Sequence, residues 1–430
     1  MKLSPIIVSL LETDAYKFSM GQVVFHNFSR YTTTWSFKCR NAKVKFTQEM
    51  VDEIKAQIAH YCTLKFTEHE LKWLKEKLPW IHSDYIDFLR LWHPFIDEIH
   101  VNEPGMVAYN DCGLAIEARG TWLNTSMYEI AILAIVNEVY FAFKYGISAR
   151  DDEFKAKTIE KFSLFESQDE VDRITSAYNG TPVFIDKLDE YAKTHYSPFT
   201  FSEFGMRRRY SAKMQDWLIG YILSRNLGGF VGTSNVYLAK KYNVKAVGTQ
   251  AHEYFMAFQG DFELNPAYSN KFALQYWVKE YETDLGIALT DTLGTSVFLK
   301  DFTKTYAKLF SGVRHDSGDP YEWGEMMISH YKNLGFDPSE KTLLFSDSLN
   351  FEKASKIQKH FEGRAKVAFG IGTYLSCPFE DSLNIVFKMT ECNGSPVAKL
   401  SNTPGKGMCK DEEYVKYLQR CIDWRLMHGR

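Results

Sequence analysis

Six stretches of this chain carry residue types that can do chemistry: Arg207-Arg208-Arg209, His252-Glu253, Thr290-Asp291, Arg314-His315-Asp316-Ser317-Gly318-Asp319, Ser346-Asp347-Ser348 and Gly370-Ile371-Gly372-Thr373. Arginine offers a planar fork to a carboxylate or phosphate. Aspartates hold sugar hydroxyls or a magnesium ion. A Gly-x-Gly-Thr turn lets backbone N–H groups approach a phosphate. A histidine in the first turn of a helix meets a dipole that disfavours imidazolium. A neutral imidazole is a competent nucleophile toward phosphorus. Three arginines at a helix N-terminus have the unfavourable sign, which an anionic ligand would offset. Each piece also has an ordinary reading: a solvated basic turn, a self-satisfied ion-pair network, glycines that only permit packing, a histidine that only hydrogen-bonds. Shared placement decides between the two.

The elements supply that placement. From about residue 200, a short apolar run ends in small or polar residues, a helical pattern follows, and the unit repeats. The runs are 199–204, 229–233, 245–249, 286–291, 310–314, 342–347 and 366–372. Helical spacing follows through 222, then at 236–242, 252–258, 296–302, 320–334 and 351–360. Apolar strands with helical crossovers predict a parallel sheet covered on both faces. About seven units favour an irregular (β/α) barrel, whose chemistry gathers at the C-terminal ends of the strands. All six stretches fall there.

The rest of the chain reads as support. Residues 1–150 predict an α/β (α+β) domain, with a strand at 31–39, helices at 49–61 and 68–78, and sheet hairpins over 102–119. The barrel occupies 151–380, opening with a charged excursion to about 195 that reads as helices without chemistry. Residues 381–430 predict a hairpin around Asn393-Gly394 and a helix, both returning to the N-terminal domain.

Composition narrows the class. The 51 basic residues nearly balance 54 acidic ones, giving a net charge of -3, so no global field draws nucleic acid or an anionic membrane. Seven cysteines, an odd number without C-x-x-C spacing, suit reduced thiols and a cytoplasmic protein. The apolar stretch at 130–143 is broken by Asn137 and Glu138 and reads as a buried helix, not a membrane span. H-E-x-x-H, G-x-S-x-G and Walker A sequences are absent. The residues alone therefore lead to a cytosolic barrel enzyme that binds a multiply phosphorylated small molecule with magnesium.

The motifs also resemble a known family, the nicotinate phosphoribosyltransferases of bacterial and fungal type. The matching segments run in family order from residue 10 to beyond 400. They are Leu10-Leu11-Glu12-Thr13-Asp14-Ala15-Tyr16-Lys17, Phe204-Gly205-Met206-Arg207-Arg208-Arg209, Val231-Gly232-Thr233-Ser234-Asn235 and Gly248-Thr249-Gln250-Ala251-His252-Glu253. Ala288-Leu289-Thr290-Asp291-Thr292, the 314–320 stretch, Phe345-Ser346-Asp347-Ser348, Phe369-Gly370-Ile371-Gly372-Thr373 and Pro404-Gly405-Lys406 continue the match. Met206 stands where the family often has Thr, and Tyr254 where it often has Trp.

The resemblance implies a type II phosphoribosyltransferase fold. It implies joining of nicotinate to 5-phosphoribosyl 1-diphosphate, giving nicotinate mononucleotide and pyrophosphate, the first step of NAD salvage from nicotinate. ATP as co-substrate makes the enzyme a ligase forming a C–N bond, through a phosphohistidine at His252. It further implies that Tyr16 and Phe204 sandwich the pyridine ring, with Arg207 and Thr249 near its carboxylate or the diphosphate. Arg314 and Asp316 would hold the diphosphate and ribose region, with magnesium carried mainly by the diphosphate rather than by side chains alone. Asp347 would bind ribose hydroxyls, and Gly370, Gly372 and Thr373 the 5-phosphate. Asp291 would support the ring region or orient His252. In the family Tyr16 can reach a neighbouring subunit's site, which implies a homodimer as one arrangement. Three rivals remain at this stage: a nicotinamide-specific sister enzyme, a catalytically silent barrel, and a phosphosugar aldolase. Clustered arginines disfavour the first, the intact motifs the second, and the lack of a lysine at the strand ends the third.

Overall fold

A computed structural model of the chain describes residues 1–430 apart from 166–172, 178, 180, 182, 184, 185, 188–198, 226–228, 249, 262, 404–408, 410, 429 and 430. Most of the charged excursion, Thr249 and the Pro404-Gly405-Lys406 motif therefore lie outside the described residues.

Two sheets organise the molecule. The first is antiparallel with strand order β12-β11-β1-β3-β2. β1 (Thr32–Cys39) alternates as its sequence predicts, burying Thr33, Trp35, Phe37 and Cys39. β2 (Ile99–Val101) and β3 (Ile116–Thr121) pair antiparallel, so the predicted hairpin begins earlier and has a longer loop than expected. β11 (Ile385–Cys392) and β12 (Ser395–Pro396) flank Asn393 and Gly394, both at positive φ. β11 pairs β1 from Thr33↔Cys392 to Cys39↔Ile385, with one register shift between Thr34 and Trp35. The far end of the chain thus completes the N-terminal sheet.

Six helices belong to the first part of the chain: α1 (Tyr16–Asn27), α2 (Gln48–Tyr61), α3 (Glu68–Lys77), α4 (Ser83–Leu91), α5 (Trp122–Tyr145) and α6 (Asp151–Ser163). α5 is long and apolar enough to cross a bilayer, yet it lies almost wholly inside the protein, as the sequence predicts for its apolar run. Thr121 caps its start by accepting from Asn124 N, and Gly146, at φ 99°, ends it.

The second sheet has seven parallel strands in the order β6-β5-β4-β10-β9-β8-β7. They are β4 (Phe201–Glu203), β5 (Phe230–Thr233), β6 (Lys245–Ala246), β7 (Ile287–Leu289), β8 (Gly312–His315), β9 (Thr342–Phe345) and β10 (Lys366–Ile371). The helices between them are α7 (Ala212–Ser224), α8 (Val236–Tyr242), α9 (His252–Ala257), α10 (Ser269–Tyr281), α11 (Thr295–Asp301), α12 (Lys304–Leu309), α13 (Pro320–Asn333) and α14 (Phe351–Phe361). α15 (Thr373–Ser376) follows β10, and α16 (Glu412–His428) packs on the barrel, where Leu418 and Ile422 meet Ala267 and Val297 and Arg425 pairs with Asp301, rather than returning to the N-terminal domain as the sequence predicts. The first and last strands, β4 and β10, are neighbours. Among the described residues no ladder joins β6 to β7, so the irregular barrel is open along one seam, bridged where Leu289 N donates to Gln250 Oε1 at 3.3 Å.

β6 is shorter than predicted. Gly248 approaches the backbone of Tyr16 so closely that a Cβ there would lie 2.7 Å from Tyr16 N. The N-terminal segment takes the place of the strand's continuation. Residues 11–15 lie across the barrel mouth through Ala15 N to Ser234 O (2.9 Å), Val236 N to Thr13 O (3.0 Å) and Tyr237 N to Leu11 O (2.8 Å). That contact carries Asp14 and Tyr16 to the strand ends.

Candidate active site

A cavity of about 390 Å³ opens at the C-terminal ends of the parallel strands. The barrel contributes Phe204, Arg207, His252, Arg314, Asp316, Asp347, Gly370 and Gly372 to its wall, and the N-terminal segment adds Asp14 and Tyr16. Thr373 lies in an adjoining lobe with Asp347, Ser348 and Gly372. All the sequence-predicted site residues within the described part converge here except Asp291, which sits directly behind His252.

β4 delivers the first group. Its last residue, buried Glu203, accepts from Gly205 N (2.6 Å), Thr233 Oγ1 (2.7 Å) and Gln215 Nε2 (3.1 Å), which fixes the turn that follows. The arginines occupy a 3₁₀ turn, Met206–Arg208, ahead of α7, which Ser211 caps. They are not in the helix's first turn, as the sequence suggested, and their fates diverge. Arg207 is 31% exposed beside the cavity; its Nε lies 3.4 Å from Asp14 and its NH1 3.6 Å from Glu129, and its guanidinium also meets Tyr16 Oη. Arg208 also faces the cavity and donates to Ile385 O; burial, with Arg207 and Arg40 nearby, pulls its pKa down to about 10. Arg209 is 1% exposed and pairs with Glu12 and Glu138, both at 2.7 Å. The ordinary structural reading is right for Arg209 and not for its neighbours.

Tyr16 and Phe204 both line this cavity. Gly370 is required beside them: a Cβ there would collide with the Phe204 ring. Its packing role is therefore visible alongside its place on the cavity wall.

α9 delivers His252. The ring Nε2 lies 2.8 Å from Asp291 Oδ1 and 3.6 Å from Asp316 Oδ2. Burial, aided by the Lys399 charge, overcomes both aspartates and pulls the imidazole pKa down to about 4. Burial, rather than the helix dipole that the sequence points to, is the leading cause of this neutrality. Burial opposes ionisation of Asp291, but His252, Lys399 and Ser317 outweigh it and hold the carboxylate well below its usual pKa. Asp316, a quarter exposed, behaves alike through Arg314, Lys399 and His252. Its Oδ1 accepts from Ser346 Oγ at 2.9 Å and lies 3.7 Å from Arg314.

The sequence reading missed three basic residues of the wall: Arg40, Lys388 and Lys399. Lys399 Nζ is 3.0 Å from Asp291 and 3.8 Å from Asp316. Lys388 lies 3.3 Å from Glu129, and burial lowers its pKa to about 8. The two lysines of this wall arrive from β11 and the segment after β12. Their only sequence signal is a polar residue in a strand-like run.

His252, Asp291 and Asp316 offer ligand atoms within 4.8 Å of one another. They do not make a metal cage. Both Asp291 oxygens are already engaged, one by His252 and the other by Ser317 and Lys399, and the Lys399 ammonium supplies the local positive charge. Asp316 and Asp347, on the cavity wall, remain suited to a metal carried in on a ligand.

The profile of the nicotinate phosphoribosyltransferase family matches residues 199–424, and that of the family's N-terminal domain matches residues 11–137. A nicotinate phosphoribosyltransferase of Ralstonia nicotianae is 42% identical over 96% of this chain and 98% of its own. One from Acinetobacter baylyi is 41% identical over 98% and 97%. The crystal structure of the Vibrio cholerae nicotinate phosphoribosyltransferase superposes with a TM-score of 0.83 at 32% identity, covering 97% of this chain and 94% of that one. The Porphyromonas gingivalis structure gives 0.81 at 31%, covering 97% and 100%. With both of its parts matched, and with relatives alike along nearly their whole length, this chain belongs to the nicotinate phosphoribosyltransferase family.

Proposed function

We propose that the protein joins nicotinate to 5-phosphoribosyl 1-diphosphate, releasing pyrophosphate and forming nicotinate mononucleotide, and that it couples this to ATP hydrolysis through His252. The observation that carries the reading is the convergence on one cavity of an aromatic pair, an arginine beside it, and a buried neutral histidine among arginine, aspartate and glycine residues.

The pyridine nitrogen of nicotinate is unprotonated near pH 7, so attack on the ribosyl carbon needs no general base. The barrier lies in charge: the ribosyl centre becomes cationic while pyrophosphate departs. Tyr16 and Phe204 hold the ring, and Arg207 meets its carboxylate. Arg314 stabilises the departing diphosphate, an electrostatic contribution that grows toward the transition state. Asp347 positions the ribose hydroxyls, with Gly372 and Thr373 at the 5-phosphate. Magnesium, carried on the diphosphate, would be held by Asp316 and Asp347 and would neutralise charge on the leaving group.

Asp291 accepts the Nε2–H of His252, which leaves the lone pair on Nδ1. That nitrogen attacks the terminal phosphorus of ATP; a P–N bond forms, the bridging P–O bond breaks and ADP leaves. Hydrolysis later returns the imidazole and inorganic phosphate. Free cysteines and the burial of α5 support a protein of a reducing cytoplasm. Nothing in its charge favours a nucleic-acid or membrane partner.

Pyrophosphate release with nicotinate or nicotinamide, with and without ATP, tests the reading. Turnover with nicotinate that rises with ATP is expected. Turnover with nicotinamide alone would transfer the assignment to the sister activity, and silence with both would end it.

A further inference from the structure

A second group of ligating side chains lies apart from the cavity, where α1, the start of α4 and α10 meet. His26 sits in the last turn of α1; its Nδ1 is 2.6 Å from Glu280 Oε1 and its Nε2 is 3.2 Å from Asp84 Oδ2. His82, the residue before α4, places Nδ1 3.7 Å from the same Glu280 oxygen. The two imidazole centroids are 5.4 Å apart. Glu280, on α10, has a side chain only 6% exposed and is held by Gln22 Nε2 at 2.9 Å. Gln22 in turn accepts from His82 N at 2.7 Å, so one side chain positions two members of the group. His26, His82 and Glu280 each offer a ligand atom within 4.8 Å of the others.

We propose that His26, His82 and Glu280 bind a divalent transition-metal ion of the zinc class, with Asp84 orienting His26. Two imidazoles and one carboxylate suit zinc and poorly suit magnesium or calcium, which seek six or more oxygens. Tetrahedral bonds of about 2.0–2.1 Å put ligand atoms roughly 3.3 Å apart. The spacings of 2.6 and 3.7 Å about Glu280 Oε1 straddle that value, so small side-chain rotations suffice. The His26 ring has one nitrogen toward the site and the other on a carboxylate, the arrangement that fixes a metal-ligating imidazole. Glu280 and Asp84 together balance a charge of +2. His82 is half exposed, which leaves the outer side open to water as a fourth ligand.

A plain ion pair explains less. A protonated His26 would bridge Glu280 and Asp84 without help, and His82 would add a second imidazole with no task. A bound metal uses all four residues. It would fasten α1, which begins at Tyr16, to α10, whose Trp277 packs edge-on against Tyr254 of α9. The same seam is already tied by Tyr281 Oη to Ser19 O (2.6 Å) and Lys279 Nζ to Asn27 Oδ1 (2.8 Å). The role is therefore a staple beneath the reactive helix, not a share in the chemistry.

The test titrates metal-stripped, full-length protein with Zn²⁺ by calorimetry and with Co²⁺ by visible absorption. Asp316 and Asp347 on the cavity wall can also attract metal, so the readout is the difference between wild type and His82→Gln. Wild type is expected to bind one equivalent more than His82→Gln and to show an intense four-coordinate Co²⁺ band that the variant lacks. Asp84→Asn should keep the stoichiometry and lose at least about tenfold in affinity. Saturating Zn²⁺ should raise the wild-type Tm by roughly 2–4 °C and leave that of His82→Gln in place. His82 is not part of the candidate active-site wall, so retained basal turnover certifies the variant's fold. Matching stoichiometry, affinity and spectra for wild type and His82→Gln would overturn the proposal.

Discussion

Arg207 and Arg209 stand two positions apart in one turn and face opposite worlds. Arg209 is sealed between Glu12 and Glu138, with its charge fully answered by protein. Arg207 lies at the cavity, where its nearest carboxylates, Asp14 and Glu129, sit at 3.4 and 3.6 Å. The same division separates the buried Lys17–Glu129–Glu253 network from the Arg314–Asp316–His252 group. The first is closed to solvent, with Lys17 2.6–2.8 Å from both glutamates; the second stands on a cavity wall, where Asp316 lies 3.6 Å from His252 and 3.7 Å from Arg314. Residue type does not distinguish structural from functional charge. The distance at which partners stand, and what space lies between, does.

That contrast can be broken from either side. The largest effect is expected at the cavity: Arg314→Ala should lower kcat with nicotinate by about 10³-fold or more, while urea denaturation finds the fold near wild-type stability. In the sealed pair the reverse holds. Arg209→Ala strands Glu12 and Glu138 and should cost about 3–5 kcal/mol of unfolding free energy in the same denaturation experiment. Arg207→Ala is the paired control. It should raise KM for nicotinate about 10–100-fold and change stability by less than about 1 kcal/mol. If Arg207→Ala destabilises as much as Arg209→Ala, the contrast fails.

His252→Ala sharpens the picture within the cavity. ATP stimulation should vanish while ATP-independent turnover persists; a loss equal to that of Arg314→Ala would merge two roles held apart here. The smallest effect concerns pH. Because the folded pKa of His252 is about 4, initial ADP release should hold through pH 6.5 and fall only as pH approaches 4. The unfolded chain takes up this proton near pH 6.5 and the folded chain does not. His252 therefore removes stability as pH falls from about 6.5 toward 4, and none above that window. A midpoint of ADP release near 6.5 would indicate a solvated imidazole.

Much of this was legible because strand-end motifs are local. An apolar run ending in Thr290-Asp291 or Ser346-Asp347 states both the strand and the group it delivers. The partnership of Arg209 was not legible, since Glu12 and Glu138 lie 197 and 71 positions away. Lys388 and Lys399 were invisible for the same reason: they reach the barrel only because β11 pairs β1. The early end of β6 was unreadable because its cause, the backbone of Tyr16, belongs to another part of the chain.

The pairing of β11 with β1 also sets an order of events at synthesis. β1 is the middle strand of its sheet, with β3 on one side and β11 on the other. β3 emerges soon after it, whereas Cys392, the partner of Thr33, follows about 360 residues later. At about 5–20 residues per second, one edge of β1 waits unpaired for roughly 20–70 s. An open edge rich in Thr, Trp and Phe is a template for the wrong strand. The lysines of the cavity arrive with the strand that closes that edge, so the nascent chain gains two charges of its cavity wall and covers the open edge in a single step.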